Sequence, residues 1–120
     1  MKTSIKLLSL AAFLPAFLFM TFASSAQSAG RKTETFKVYG KCEMCQETIE
    51  GALQKKDGIL KKEWSPKTKM ITVTYDPAKI TLQQIKRKIA EAGYDTDEIR
   101  GNDKAYNNLH PCCQYERARK

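Results

Sequence analysis

The order of strand and helix patterns between residues 34 and 100 is the feature that most constrains the fold of this 120-residue chain. Apolar and polar residues alternate around Phe36 and Val38 and again from Ile71 to Tyr75, as in a strand with one buried face. The predicted strands are residues 34–39, 59–64, 70–75 and 94–100, and the predicted helices are residues 45–56 and 82–92. This β-α-β-β-α-β order predicts an α+β fold in which two amphipathic helices cover one face of a four-stranded sheet.

Turn and capping residues support the helix boundaries. Gly58 suits the left-handed conformation that ends a helix. Thr81 and Gln84 have the spacing of a capping box at the start of the second helix. In that helix we expect the basic residues to face solvent, namely Lys86, Arg87 and Lys88.

The first 26 residues have the composition of a signal peptide. Two lysines precede an almost wholly apolar run over residues 7–22, and small residues follow at Ser24-Ser25-Ala26. An uncleaved membrane anchor is the alternative, but a proline interrupts the run, which is shorter than the ~20 residues of a spanning helix. We therefore predict cleavage of residues 1–26, a flexible lead-in at residues 27–33, and a periplasmic or secreted protein.

The net charge of +8 raises the question of a nucleic-acid partner. The positive side chains are interspersed with acidic ones along the helices and strands, so we expect solvated faces and no nucleic-acid partner. The charge could still steer docking onto an acidic protein. The single histidine, His110, has no partnered serine in the sequence and no glycine-rich phosphate loop occurs, so we expect no enzymatic activity.

Two cysteines three positions apart, Cys42 and Cys45, stand at the junction of the first strand and the first helix. Two such thiols can close on one metal ion or on each other as a disulfide. Cys45 falls in the first helical turn, where backbone N–H groups and the helix dipole favour a thiolate. A pair of thiolates suits a soft ion of low coordination number, Cu(I) or Hg(II), whereas a closed Zn(II) site needs two further ligands.

The chain resembles the heavy-metal-associated domain family over residues 34–100. The resemblance rests on five stretches in order, which are Phe36-Lys37-Val38-Tyr39-Gly40 leading into Cys42-x-x-Cys45, Thr48-Ile49-Glu50, Asp57-Gly58-Ile59, Met70-Ile71-Thr72-Val73-Thr74-Tyr75-Asp76 and Ile89-Ala90-Glu91-Ala92-Gly93-Tyr94. It implies a ferredoxin-like sandwich with a four-stranded antiparallel sheet. It also implies that Cys42 and Cys45 bind the metal and pass it by ligand exchange to a transporter or another acceptor protein. We expect a monomer that meets the membrane only through such a transporter.

The loop departs from the usual family sequence. Family members have Gly-Met-x-Cys-x-x-Cys, in which the Met packs beneath the loop, whereas this chain has Gly40-Lys41-Cys42. Met44 lies between the cysteines instead and offers either a weak thioether contact near the metal or ordinary packing. The resemblance also places Tyr94 where family members have an aromatic residue or a Lys near the metal loop, so Tyr94 is a candidate to contact the ligands.

A second pair of cysteines lies beyond the family resemblance, in a polar tail at residues 101–120. There, His110, Cys112 and Cys113 could supply further soft ligands, either to the first site or to a separate one. Cys112 or Cys113 could instead form a disulfide with a cysteine of the first pair, which would block that site until it is reduced. A tail whose cysteines do neither is the third alternative.

The sequence therefore predicts an exported protein that captures Cu(I) or Hg(II), with Zn(II) a weaker candidate, and delivers it to a partner. A thiol–disulfide redox protein that uses Cys42 and Cys45 is the first alternative, although the Trp-Cys-Gly-Pro-Cys setting of thioredoxin-like sites does not occur. A disulfide-stapled interaction domain is the second alternative.

Overall fold

The structure, a computed structural model, describes residues 30–117. In chain order it contains strand β1 (Lys32–Lys37), helix α1 (Glu43–Gly51), a 3-10 helix (Lys55–Asp57), strands β2 (Ile59–Trp64) and β3 (Met70–Tyr75), helices α2 (Leu82–Glu91) and α3 (Asp103–Asn107), and a second 3-10 helix (Pro111–Cys113). The predicted signal peptide lies outside the described residues. Within residues 30–117, no helix combines the length and apolarity that crossing a bilayer requires.

The three strands form one antiparallel sheet in the order β1-β3-β2. Ile71 in the central strand stands opposite Phe36 of β1 and Trp64 of β2, and all three side chains are buried. The second and third strands were predicted at these bounds. The first strand begins and ends two residues earlier than predicted, so residues 32–33 belong to a strand and not to a flexible lead-in. The alternation of apolar residues was a sound guide here because one face of the sheet is covered by helices.

The two predicted helices are present, and local signals explain their bounds. Cys42 is the N-cap residue of α1, which ends at Gly51 and is followed by the first 3-10 helix instead of continuing to residue 56. Gly58 has the predicted left-handed conformation, with φ of 96°, but it ends the 3-10 helix and not α1. The α2 helix begins with the predicted capping box between Thr81 and Gln84.

The predicted fourth strand is wrong. Over residues 94–100, only Thr96 pairs with the sheet, through an isolated bridge to Val38 beyond the end of β1. The Thr96 hydroxyl accepts hydrogen bonds from the N–H groups of Glu98 and Ile99, at 3.3 and 2.9 Å, and its own N–H donates to the Ile99 carbonyl at 2.8 Å. A side chain that accepts hydrogen bonds from nearby backbone N–H groups favours a turn over pairing with a neighbouring strand. The chain therefore bends at the point where a strand would continue.

Lys86 holds this bend against α2, contrary to the prediction that its side chain faces solvent. Its side chain is only 3% exposed, and its ammonium group lies 3.1 Å from a carboxylate oxygen of Asp97 and 3.2 Å from one of Glu98. It also lies 5.0 Å from the centre of the Phe36 ring. Burial opposes the charged form, but the hydrogen bonds and charges of both carboxylates outweigh it and raise the pKa of Lys86.

The C-terminal segment, defined here as residues 101–117, folds back onto the domain. Tyr115 is buried, and its hydroxyl donates to the Gly93 carbonyl and accepts from the Asp95 N–H, both at 2.8 Å. The Tyr115 ring stacks on Tyr94 with a centroid separation of 5.5 Å. A guanidinium nitrogen of Arg117 lies 2.7 Å from a carboxylate oxygen of Asp95. These contacts make the segment part of the core.

Candidate metal centre

The loop that joins β1 to α1 carries the first cysteine pair and is held from both sides. The Tyr39 N–H donates to the Asp95 carbonyl at 2.9 Å, which ties the loop to the bend after α2. From the β2–β3 turn, the ammonium group of Lys69 donates to the Lys41 carbonyl at 3.0 Å. The loop is therefore positioned by residues distant in sequence, which prepares its cysteines for a ligand.

Trp64 packs beneath this loop. The side chain is fully buried, and its indole N–H donates to the Val38 carbonyl at 3.0 Å. A Cβ atom added at Gly40 would lie 2.9 Å from the Trp64 ring, so only glycine permits this close approach of backbone and ring. Trp64 therefore supports the loop from beneath.

The two cysteines of the loop differ in exposure. Cys42 is half-buried at the N-cap position of α1. Cys45 lies in the first turn of the helix and is fully buried, with its sulfur 3.3 Å from the Lys41 N–H. One thiol is therefore open to solvent and partners, while the other is embedded among backbone donors.

The surroundings of Cys45 favour its thiolate. Burial opposes ionisation, but the backbone groups of Cys42 and Lys41 and the side chains of Cys113 and Tyr94 outweigh it, and the pKa of Cys45 is lowered. A thiolate is the form of cysteine that binds metal, so less proton competition has to be overcome at Cys45 than at an ordinary thiol.

Tyr94 lies next to Cys45, as the family resemblance implied. Its hydroxyl is buried and, among residues 30–117, has no hydrogen-bond partner of normal geometry. Burial raises the pKa of Tyr94, and the negative charge of the Cys45 thiolate raises it further. A protonated Tyr94 hydroxyl beside Cys45 can donate to its sulfur, and the Tyr94 side chain helps to lower the pKa of Cys45.

The C-terminal segment brings the second cysteine pair to the first. Cys113 is buried, its carbonyl oxygen lies 3.9 Å from the Cys45 sulfur, and its thiol interacts with the same sulfur. Burial, followed by the hydrogen bond and charge of Cys45, raises the pKa of Cys113. The carbonyl oxygen of Cys112 lies 4.0 Å from the Cys42 sulfur. All four cysteines are free thiols.

A third grouping lies on the solvent side of α1. The Cys112 sulfur is 3.2 Å from the Met44 sulfur and 3.2 Å from the His110 Nδ1 atom. Met44 therefore contacts the C-terminal segment and is 46% exposed. In the described part of the chain, no three or more His, Cys, Asp or Glu side chains are arranged to hold a metal ion together, so the four thiols do not form one tetrahedral cage.

Sequence reasoning missed the residues that position the second pair. Tyr115 and Arg117 anchor the C-terminal segment to the main-chain groups and carboxylate around Asp95. Tyr106 also donates from its hydroxyl to the Tyr115 carbonyl at 2.6 Å. Two tyrosines in an otherwise polar tail were the available signal, since such rings bury large apolar areas.

Comparison with known proteins identifies the family to which residues 35–95 correspond. The family model described as "Heavy-metal-associated domain" matches residues 35–95. The mercuric transport protein periplasmic component of Shewanella putrefaciens is 42% identical over 67 residues, covering 55% of this chain and 74% of that protein. The copper chaperone CopZ of Staphylococcus saprophyticus is 36% identical over 64 residues, covering 52% and 94%.

A solved structure agrees with these relatives. The crystal structure of oxidised MerP from Ralstonia metallidurans CH34 aligns with a TM-score of 0.53 and 32% identity, over 57% of this chain and 96% of that one. The fold is the ferredoxin-like α+β fold of these proteins, and residues 30–117 form a three-stranded sheet and three α-helices. The chain belongs to the heavy-metal-associated domain family.

Proposed function

We propose that this chain is an exported metal-binding protein without enzymatic activity. In this role it captures a soft metal ion, Cu(I) or Hg(II), through the thiolates of Cys42 and Cys45 and passes it to a transporter or acceptor protein. We call these two residues the inner pair. The observation that carries the proposal is the buried Cys45 sulfur, whose pKa is lowered by the backbone of its own loop at a helix start.

The unequal exposure of the inner pair supports transfer. A half-buried Cys42 can meet an incoming thiolate of a partner, while the embedded Cys45 keeps its hold on the ion. Ligand exchange through a shared ion then needs no free metal at any stage. The positive charge of the chain would draw an acidic acceptor toward it.

The choice of ions follows from the donor set and the relatives. Two thiolates suit soft ions. One relative is named for mercuric transport and another as a copper chaperone. The periplasmic location of the first relative and the signal-peptide composition of residues 1–26 together support export.

The test is an anaerobic titration of the reduced protein with Hg(II), Cu(I) and Zn(II), each against a competing chelator. The proposal expects the variant that combines Cys42→Ser and Cys45→Ser to bind one tight equivalent of Hg(II) or Cu(I) fewer than the wild type. Cys112→Ser is the matched control and should retain this equivalent. If the double variant binds as many ions as the wild type, the inner pair is not the site.

Thiol–disulfide exchange is the second candidate function, because Cys113 lies beside Cys45, with its carbonyl oxygen 3.9 Å from the Cys45 sulfur. An insulin-reduction assay separates the two functions. A rate comparable to that of a thioredoxin, lost in Cys45→Ser, would replace metal transfer by redox catalysis.

A further inference from the structure

We propose that Met44, His110 and Cys112 form a second metal site, the outer site, which binds Cu(I) separately from the inner pair. The proposed function uses only Cys42 and Cys45, so the outer site goes beyond it. Three soft donor atoms meet there, a thioether, an imidazole nitrogen and a thiol.

The geometry of the three donors is close to that of a metal centre. The Cys112 sulfur is 3.2 Å from both the Met44 sulfur and the His110 Nδ1 atom. Donors about 2.0–2.3 Å from an ion stand roughly 3.5–4 Å apart in a trigonal arrangement. Each contact therefore has to open by only about half an ångström, and the exposed side chains of Met44 and His110 have room to do so.

The outer site differs from the inner pair in the donor atoms that it brings together and in its exposure to solvent. Cys45 is fully buried, whereas its neighbour Met44 is 46% exposed and faces the other way. Cys112 approaches Cys42 through its carbonyl oxygen, and its sulfur is turned toward Met44. Cys113 lies between the two sites, with its sulfur 3.9 Å from that of Cys112 and its carbonyl oxygen 3.9 Å from the Cys45 sulfur.

Ordered parts of the fold bring the three donors of the outer site together. Met44 is fixed on a helix, and the segment that carries His110 and Cys112 is anchored on its far side by Tyr115 and Arg117. The 3-10 helix at Pro111–Cys113 packs against α1. Both halves of the site are therefore held by ordered structure, which lowers the entropic cost of binding.

The donor set favours Cu(I) over the other ions considered. Thioether and thiolate sulfur select Cu(I), and imidazole is also a common copper ligand. Within the described residues, no Asp or Glu joins the group as a third His, Cys or carboxylate ligand, so hard cations find no oxygen donors there. Binding replaces the thiol proton of Cys112, which passes to solvent, and no electron is transferred.

The experiment is a Cu(I) titration of the reduced full chain under anaerobic conditions, with bicinchoninate as the competing chelator. The outer variant combines Met44→Leu, His110→Asn and Cys112→Ser, and the inner variant combines Cys42→Ser and Cys45→Ser. We expect two equivalents in the wild type and one in each variant. Met70→Leu, a 36% exposed methionine on β3, is the matched control and should keep both equivalents.

X-ray absorption of the Cu(I)-loaded inner variant tests the ligands directly. It should show sulfur and one nitrogen neighbour, and His110→Asn in that background should remove the nitrogen and weaken binding by about tenfold or more. The outer site is refuted if the folded inner variant binds no Cu(I), if its spectrum shows sulfur alone, or if the outer variant keeps two equivalents. Because the outer variant reports on Cys42 and Cys45 alone, failure of the outer site is distinguishable from failure of the proposed function.

Discussion

The sulfur of Cys45 lies 3.9 Å from the carbonyl oxygen of Cys113, although 68 positions separate the two residues in the chain. The Cys113 side chain helps to lower the pKa of Cys45, whereas the pKa of Cys113 itself is raised. Cys45 therefore loses its proton more easily than Cys113, whose thiol keeps its proton and can donate a hydrogen bond. This contact links the loop that joins β1 to α1 with the C-terminal segment.

Mild oxidation is expected to join Cys45 to Cys113. Diamide takes up the two hydrogens as the sulfurs bond, and Cys45 supplies the attacking thiolate beside its partner. Peptide mapping should find this disulfide, and the inner metal equivalent should be lost until dithiothreitol restores it. Cross-linking across so long a loop would also stabilise the fold by about 4 kcal/mol in the chain-entropy model.

Cys113→Ala is the control for this oxidation, since it leaves Cys45 without the neighbouring thiol. The variant should retain its metal equivalent after brief diamide treatment. A map dominated by disulfides within the two close pairs would contradict the expectation.

The ionisation order of the thiols is a second expectation. As pH rises, Cys45 should lose its proton first because its pKa is lowered, and Cys113 should lose its proton last because its pKa is raised. The ultraviolet absorbance of thiolates during a pH titration measures both steps. Cys45→Ser should remove the earliest step, and Cys113→Ala should move that step to higher pH by removing a hydrogen-bond donor.

Cys112→Ala serves as the matched control, because its sulfur faces Met44 and not Cys45. It should leave the earliest step unchanged. If this step survives in Cys45→Ser, another thiol carries the lowered pKa.

Tyr115→Phe is expected to loosen the C-terminal segment. The change removes the hydroxyl that accepts a hydrogen bond from the buried Asp95 N–H and donates one to the Gly93 carbonyl. The free energy of unfolding, measured by urea denaturation, should fall by about 1–3 kcal/mol. Binding of Cu(I) at the outer site should weaken as well, because the segment supplies two of its donors.

Tyr39→Phe provides the comparison, since it removes a hydroxyl from a half-buried ring outside the segment. Its effect on stability should remain below about 0.5 kcal/mol. Equal effects of the two substitutions would argue against a specific role of Tyr115.

Gly40→Ala is expected to displace the loop that joins β1 to α1, because the added methyl group would press against Trp64 beneath the loop. The added methyl group would lie 2.9 Å from the Trp64 ring and 3.3 Å from the Cys45 Cβ atom. Overpacking of this kind costs about 1–3 kcal/mol, and the displaced loop should also bind metal less tightly. Denaturation and chelator competition measure the two effects.

Gly51→Ala is the matched control, because no neighbouring atom lies within 4 Å of the added group at the end of α1. It should leave metal binding unchanged and stabilise the protein by up to about 1 kcal/mol, as replacement of a helical glycine by alanine does. A loss of stability in Gly51→Ala similar to that in Gly40→Ala would show that the Trp64 contact is not responsible.

Much of the fold was predictable because its signals are local. The strand at Met70–Tyr75 follows from alternation, and the start of α2 follows from the capping box at Thr81. The fourth strand was not predictable, because one hydroxyl at Thr96 satisfies the backbone ahead of it and turns the chain. The burial of Lys86 was hidden for a related reason, since its carboxylate partners lie on that bend.

The sequence by itself determined the family, the helix start that carries Cys45, and the chemical nature of the donors. These depend on residue type and on spacing within a few positions. Only the tertiary structure decided that Cys113 lies against Cys45 and that Cys112 meets Met44 and His110. Such contacts depend on the buried hydrogen bonds of Tyr115, which fold the C-terminal segment back across the domain and which no periodicity in the sequence encodes.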